Sequence, residues 1–302
     1  MKKREAAWRV FAGEYSDSTM EIKGEGEMTP SYVITPLGAK INRLFTVGVL
    51  TDVENISESG DLIRAHVSDP TGVFTLYSGQ YQQEATDALS NIEVPAFVAV
   101  IGKARTYIPE DGTLFVSIRP ERVAEVNAEL RDLWILETCK STKERIEAVV
   151  EAMKMNQENL NDLRKLGYSR ELSDGISAAL KHYGKIDLNK YVTLIQESLE
   201  YLKPGKETLP EIKSNKRIDP KIQDEIAEDI KDEAEKDNSE ETENIVLEKI
   251  KEIEGEDGAS WDKITDNCKK AGLDKDIVEE SLSSLMDKGL IYEPILGTIK
   301  TT

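Results

Sequence analysis

Aromatic and basic side chains recur together between residues 64 and 119, and this combination is typical of proteins that bind single-stranded nucleic acid. Aromatic rings stack on bases, while Lys and Arg side chains contact phosphates. The candidate stacking residues are Tyr77, Tyr107 and Phe115. The candidate phosphate contacts are Arg64, Lys103, Arg105 and Arg119. For each aromatic side chain the alternative is packing beneath a neighbouring segment or against a subunit.

No comparable set of residues indicates catalysis. A GxxxxGK[ST] phosphate loop is absent from the sequence, and Gly24-Glu25-Gly26 places a carboxylate where a phosphate needs backbone N–H groups. The only histidines, His66 and His182, lie in a predicted strand and near a predicted helix end, where structural or exposed roles are expected. We therefore expect a non-enzymatic protein.

The cysteines do not favour a metal site or a disulfide. Cys139 and Cys268 lie far apart and belong to no CxxC pair, so four zinc ligands of normal type cannot be assembled with two histidines. A reducing compartment is expected. We expect no metal ion and no cofactor.

The elements around the candidate residues read as β-structure. A helix is predicted at residues 83–89, between the third and fourth of five apolar, β-rich runs. These runs occupy residues 45–50, 62–67, 73–77, 94–101 and 114–118. Turns are indicated at Asp69-Pro70-Thr71-Gly72 and at Asp111-Gly112. The order predicts a five-stranded OB-fold β-barrel at residues 44–120, after an N-terminal extension with short strands at residues 1–43.

Side-chain alternation then assigns the two faces of each strand. Phe74 and Leu76 are predicted to fill the barrel, which leaves Tyr77 exposed. In the fifth strand the predicted core residues are Leu114, Val116 and Ile118. The predicted outward residues are Phe115, Ser117 and Arg119, and a β-bulge would reverse this assignment.

A helical region is predicted at residues 121–204. Its first helix, residues 121–139, carries an apolar group consisting of Leu130, Leu133, Trp134 and Leu136. This group is predicted to pack either on a partner subunit or on the chain's own barrel. A capping box at Ser141-Thr142-Lys143-Glu144 predicts the start of a second helix, Gly184 a helix end and Asp187 a further cap.

Acidic residues dominate the next segment. The formal net charge is −19, and residues 224–243 contain eleven carboxylates but only two lysines. Such a block cannot bury enough apolar surface to fold alone, so residues 205–243 are predicted to form an acidic flexible linker. A chain this acidic is not a general polycation for duplex DNA, although a local groove can still bind nucleic acid.

Residues 244–302 are predicted to form a winged-helix domain with three helices and a β-wing, which makes the chain an α+β multidomain protein. The third helix carries Asp274, Asp276, Glu279, Glu280 and Asp287 against Lys275 and Lys288. These carboxylates would be repelled by a DNA groove, so docking of proteins is favoured. The sequence contains no run of 18 apolar residues, so no membrane span is predicted. The basic residues at the start are not followed by an apolar segment, so no signal peptide is predicted. We therefore expect a cytoplasmic, nucleoid-associated protein.

Several motifs resemble a known family. The domain layout resembles the second subunit of replication protein A. The stretches 4–14 and 30–40, together with Asp69-Pro70-Thr71-Gly72 and Ile118-Arg119-Pro120-Glu121, look like the archaeal replication protein A-associated family. The resemblance covers most of residues 4–140 and, more loosely, 244–302. It implies a protein that joins a larger single-strand-binding subunit in DNA replication and repair.

The resulting hypothesis is a non-catalytic subunit of a single-stranded-DNA-binding complex, with the barrel on DNA or a partner subunit and the winged helix recruiting replication or repair proteins. Two alternatives stay open. One is a transcription regulator that uses the winged helix on duplex DNA, and the other is an RNA-binding OB-fold protein.

Overall fold

The computed structural model describes residues 6–24, 31–57, 62–79, 82–155, 161–203, 222, 225–226, 228, 242–255, 258–270, 273, 275–295 and 297–302. The chain divides into two compact units, Met1–Glu228 and Asp229–Thr302, which are described separately. Most of the predicted linker at residues 205–243 lies outside the described residues. The described helices are all too short or too polar to cross a membrane.

A closed five-stranded barrel forms the centre of the first unit. Its strands are β4 (Arg43–Asn55), β5 (Leu62–Asp69), β6 (Gly72–Gly79), β7 (Ala96–Tyr107) and β8 (Phe115–Glu125). They close in the order β4-β5-β6-β8-β7, with β6 and β8 parallel and the other pairs antiparallel. This is the strand order of an OB-like barrel, so the predicted five strands are confirmed. Strand β8 begins at Phe115, so Leu114 lies just before it.

Alternating apolar residues fill the barrel because successive side chains of a strand face opposite sides. The core includes Ile63, Val67, Leu76, Val100 and Ile118, each almost fully buried. Helix α2 (Gln83–Asn91) lies between β6 and β7 in the chain, as predicted, and buries Ala85 and Leu89.

The N-terminal extension packs against the barrel. It contains α1 (Ala12–Ser16) and a sheet of β1 (Met20–Ile22), β2 (Tyr32–Ile34) and β3 (Lys40–Ile41), ordered β1-β2-β3. Tyr15 belongs to the barrel core, where its hydroxyl donates to the Ser117 carbonyl at 2.7 Å. The extension is therefore part of the barrel's packing.

Four helices follow the barrel, namely α3 (Ala128–Lys154), α4 (Asn161–Lys165), α5 (Arg170–Tyr183) and α6 (Leu188–Tyr201). The capping-box prediction at Ser141–Glu144 is wrong, because α3 runs through it without a break. Thr142 is buried there and accepts a hydrogen bond from Arg145 at 3.0 Å. The cap at Asp187 and the helix end at Gly184, which has a φ of +63°, are confirmed.

A buried ion pair fastens this helical block to the N-terminal extension. Arg145 of α3 donates from Nε and Nη2 to the two carboxylate oxygens of Glu14, at 3.1 and 2.5 Å. Thr35 also donates to Glu14, at 2.8 Å, and both charged side chains are almost fully buried. The pair therefore has its hydrogen bonds satisfied within the chain.

The second unit combines helices with a small sheet. Residues 242–253 are helical (α7), followed by β9 (Ala259–Ser260), α8 (Trp261–Lys270), α9 (Lys275–Asp287), β10 (Ile291–Ile295) and β11 (Thr298–Thr301). The sheet order is β10-β11-β9. Its own core includes Val246, Ile264, Leu282 and Ile299. The winged-helix assignment stays a prediction.

Candidate nucleic-acid interface

Three cross-strand pairs on the outer face of β7 and β8 carry most of the candidate residues. In register they are Tyr107 with Phe115, Arg105 with Ser117, and Lys103 with Arg119. We call these three rungs the β7–β8 ladder. Successive rungs lie two residues apart, about 6.8 Å along a strand. The alternating residues Val100, Ile118 and Val116 face the barrel core, so the ladder lies on the outside.

The predicted outward placement of Phe115, Ser117 and Arg119 is confirmed by this register. A β-bulge does occur in β8, because Gly102 faces Pro120 whereas Ile101 faces Arg122. It lies beyond the ladder, so it leaves the facing of residues 115–119 unchanged.

A third cation extends the last rung. Arg43 of β4 is in register with Lys103, so Arg43, Lys103 and Arg119 form a row across three strands. Arg43 also donates to Glu121 at 2.6 Å. Arg43 is not among the predicted phosphate contacts, because the predicted barrel begins at residue 44. Sequence spacing alone also does not show which residues of two neighbouring strands lie opposite each other.

The ladder is not uniformly accessible. Tyr107, Phe115, Lys103 and Arg119 are half-buried. Arg105 is only 8% exposed, and Ser117 is buried to the same degree. The two end rungs therefore offer side chains to a ligand, while the middle rung is covered.

The expectation that Tyr77 is exposed is wrong. Its register with Arg64 places it on the outer face of β6, but the side chain is only 1% exposed. Burial raises the pKa of its phenol. Facing away from the barrel core did not mean facing solvent, because other parts of the chain cover this strand. Tyr77 is thus unavailable for stacking in this conformation.

Arg64 is engaged within the barrel. Its Nη2 donates to Glu54 Oε2 of the neighbouring strand at 2.5 Å. On the same face, His66 Nδ1 lies 3.2 Å from Asp52 Oδ2. A phosphate at Arg64 would compete with a carboxylate that is already in place.

The apolar group at the start of α3 divides into exposed and buried members. Leu130, Leu133 and Leu136 are exposed, Leu133 by 53%. Trp134 is buried, packs edge-to-face on Phe11 at 5.6 Å, and donates its indole N–H to the Phe45 carbonyl at 3.0 Å. Of the two alternatives predicted for Trp134, packing on its own chain is the one observed.

Apart from the barrel face, one cavity of about 650 Å³ lies between the N-terminal extension, α3 and α5. Its charged lining is mixed, comprising Arg9, Lys40, Glu144, Arg145 and Glu171. No local pattern in the sequence indicates this cavity, because its walls come from segments far apart in the chain.

Comparisons with known proteins give structural likenesses only. No family model and no curated protein matches the chain. It is similar to one chain of a replication protein A heterotrimer bound to single-stranded DNA, at 15% identity and a TM-score of 0.34, over 47% of this chain and 98% of that one. A mitochondrial single-stranded DNA binding protein from S. cerevisiae is 16% identical with a TM-score of 0.24, over 29% and 95%.

Asparaginyl-tRNA synthetase from Pyrococcus horikoshii is also similar, at 11% identity and a TM-score of 0.23, over 38% of this chain and 31% of that chain. These proteins differ in what they bind. Function is therefore inferred below from the side chains of the barrel.

Proposed function

We propose that the chain binds single-stranded DNA through the β7–β8 ladder. The observation that carries this proposal is the presence, on one outer face, of an aromatic rung and a cationic rung about 13.6 Å apart along the strands, four residues at 3.4 Å each. An aromatic rung can stack a base, and the cationic rung can contact the phosphates of the same strand.

Local rather than overall charge supplies the attraction in this proposal. With a net charge of −19 the whole chain repels a polyanion, whereas Lys103 and Arg119 lie side by side in one row with Arg43, which is also paired with Glu121. Binding of a single strand should then weaken with salt by a small slope, roughly −0.7 per phosphate contacted in a plot of log K against log salt.

A fluorescence-anisotropy titration of the full chain with labelled oligo-dT tests the proposal. Phe115→Ala should weaken binding by about 1–3 kcal/mol, the range for loss of one stacked base. Tyr292→Ala is the matched control, because Tyr292 is exposed but lies in the second unit. Equal affinities for wild type and Phe115→Ala would contradict stacking on this rung.

The same titration with oligo-rU and with duplex DNA separates the rival functions. Tighter binding of oligo-rU than of oligo-dT would favour an RNA-binding protein. A mobility shift of duplex DNA by residues 244–302 alone would favour a transcription regulator. We expect no such shift of duplex DNA, because the third helix of that unit carries exposed or partly exposed carboxylates such as Glu279, Glu280 and Asp287.

We further propose that the chain is a non-catalytic, nucleoid-associated subunit of a replication protein A-like complex in archaeal DNA replication and repair. Leu130, Leu133 and Leu136 on the exposed side of α3 would contact the larger subunit, and the C-terminal unit, as a winged helix, would recruit replication or repair proteins. Co-purification with the larger subunit should be lost in Leu133→Glu. It should survive in the control Leu166→Glu, whose leucine is equally exposed elsewhere.

A further inference from the structure

An acidic segment far along the chain contacts the aromatic end of the ladder. The Tyr107 hydroxyl donates to Glu225 Oε2 at 3.0 Å, across 118 residues of sequence. The adjacent Ile226 is only 3% exposed, whereas Glu225 and Glu228 are exposed. These residues belong to the same compact unit as the barrel. The segment thus contacts the candidate site through one hydrogen bond, next to a buried apolar side chain.

The middle rung of the ladder, and Tyr77 on β6, are covered on their outer faces. By register Arg105, Ser117 and Tyr77 all face away from the barrel core, yet each is at least nine-tenths buried. Glu225 reaches the rung next to Arg105 and Ser117. A nucleic acid strand that stacks a base on Tyr107 brings its phosphates close to the Glu225 carboxylate, which repels them.

The chemistry of the segment suits competition with a polyanion. From residue 224 to residue 228 the sequence has three carboxylates and no lysine, so its charge has the sign of a phosphate backbone. Carboxylates accept hydrogen bonds from the same donors that phosphates use. Because the segment is part of the chain, it is present at the ladder at high effective concentration without a strong contact of its own.

We propose that the acidic segment around Glu225 and Ile226 is an intrachain competitor for the single-stranded nucleic acid site of the β7–β8 ladder. This inference rests on the proposed function. The docked segment lowers the affinity of the free chain for oligonucleotides and disfavours short or weakly bound strands. A long strand that contacts the cationic row and the aromatic rung together displaces it.

Oligo-dT anisotropy titrations of full-length variants test the competition. Glu225→Gln should tighten binding roughly two- to fivefold, since exposed charged contacts contribute up to about 1 kcal/mol. Tyr107→Phe removes the hydroxyl that donates to Glu225 but keeps the ring for stacking, so it should also tighten binding. The double variant should bind no tighter than the better single variant, because both break one contact. Glu228→Gln is the matched control, since it removes an equal charge from the same segment.

Each outcome has a distinct meaning. Equal tightening in Glu225→Gln and Glu228→Gln would show a general charge effect and overturn the docked competitor. Wild-type affinity in both Glu225→Gln and Tyr107→Phe, with Phe115→Ala weakened, would overturn the competitor and leave the proposed function standing. Failure of wild type and every variant to bind oligo-dT would overturn the proposed function and the competitor together.

Discussion

Two outer faces of the same barrel arrange their charges in opposite ways. Across β4 and β5 each basic side chain lies opposite an acid, as in the pairs Arg64 with Glu54 and His66 with Asp52. Across β4, β7 and β8 the cations Arg43, Lys103 and Arg119 lie opposite one another. On the first face each cation is paired with the acid opposite it in register, whereas the second places three cations side by side, of which Arg43 is also paired with Glu121 of β8.

Like charges directly opposite each other on neighbouring strands destabilise a sheet. A row of three cations is therefore a local departure from what folding alone favours, and such departures are expected at functional sites. Charge that is paired within the protein should therefore matter for stability, whereas the charge of the cationic row should matter for binding. Substitutions of Arg145 and Lys103 separate these two effects, and a substitution of Tyr77 tests the cover of the first face.

The largest effect is expected where charge is most completely internal, at Arg145. Replacing Arg145 by Met leaves the buried carboxylate of Glu14 without its partner, which should lower the free energy of unfolding by about 3–5 kcal/mol. Urea denaturation followed by circular dichroism measures this loss. Arg170→Met is the matched control, because its ion pair with Asp174 is exposed and is expected to contribute at most about 1 kcal/mol. Similar losses in the two variants would contradict an internal structural role for Arg145.

A second large effect on stability is expected at Tyr77, which lies beside Arg64 on the self-neutralised face. Tyr77→Ala removes a fully buried aromatic side chain and should lower the free energy of unfolding by roughly 3 kcal/mol or more. Oligo-dT affinity, measured where the variant is folded, should stay at the wild-type value. A variant of normal stability that loses oligo-dT binding would instead return Tyr77 to the stacking residues.

Tyr77 also shows how far the sequence could predict this molecule. Period-2 alternation predicts the facing of Phe74, Leu76 and Tyr77 correctly, and the apolar, β-rich runs predict the five strands. Alternation decides which side of a strand a residue faces. It does not decide what covers that side, because the cover comes from distant parts of the chain.

Helix α3 illustrates a second limit. Ser141–Glu144 matches a capping box, but the residues on both sides favour helix, so α3 continues and Thr142 serves Arg145 instead. The partner of Arg145 is Glu14, 131 residues away in the sequence. Likewise, the row through Arg43 exists only once β4 is paired with β7. Local patterns predicted elements, whereas the site depended on pairings that local patterns do not encode.

The smallest and most specific effect is expected in the salt dependence of oligo-dT binding. Lys103→Gln removes one cation of the concentrated row, so the slope of log K against log salt should become shallower by roughly 0.7, the value for one lost phosphate contact on a single strand. Arg64→Gln removes a cation that is already paired with Glu54, so its slope should equal that of wild type. Anisotropy titrations at four or more salt concentrations supply both slopes. Equal changes of the slope in the two variants would mean that both faces contact the strand. The two faces would then differ in packing but not in binding.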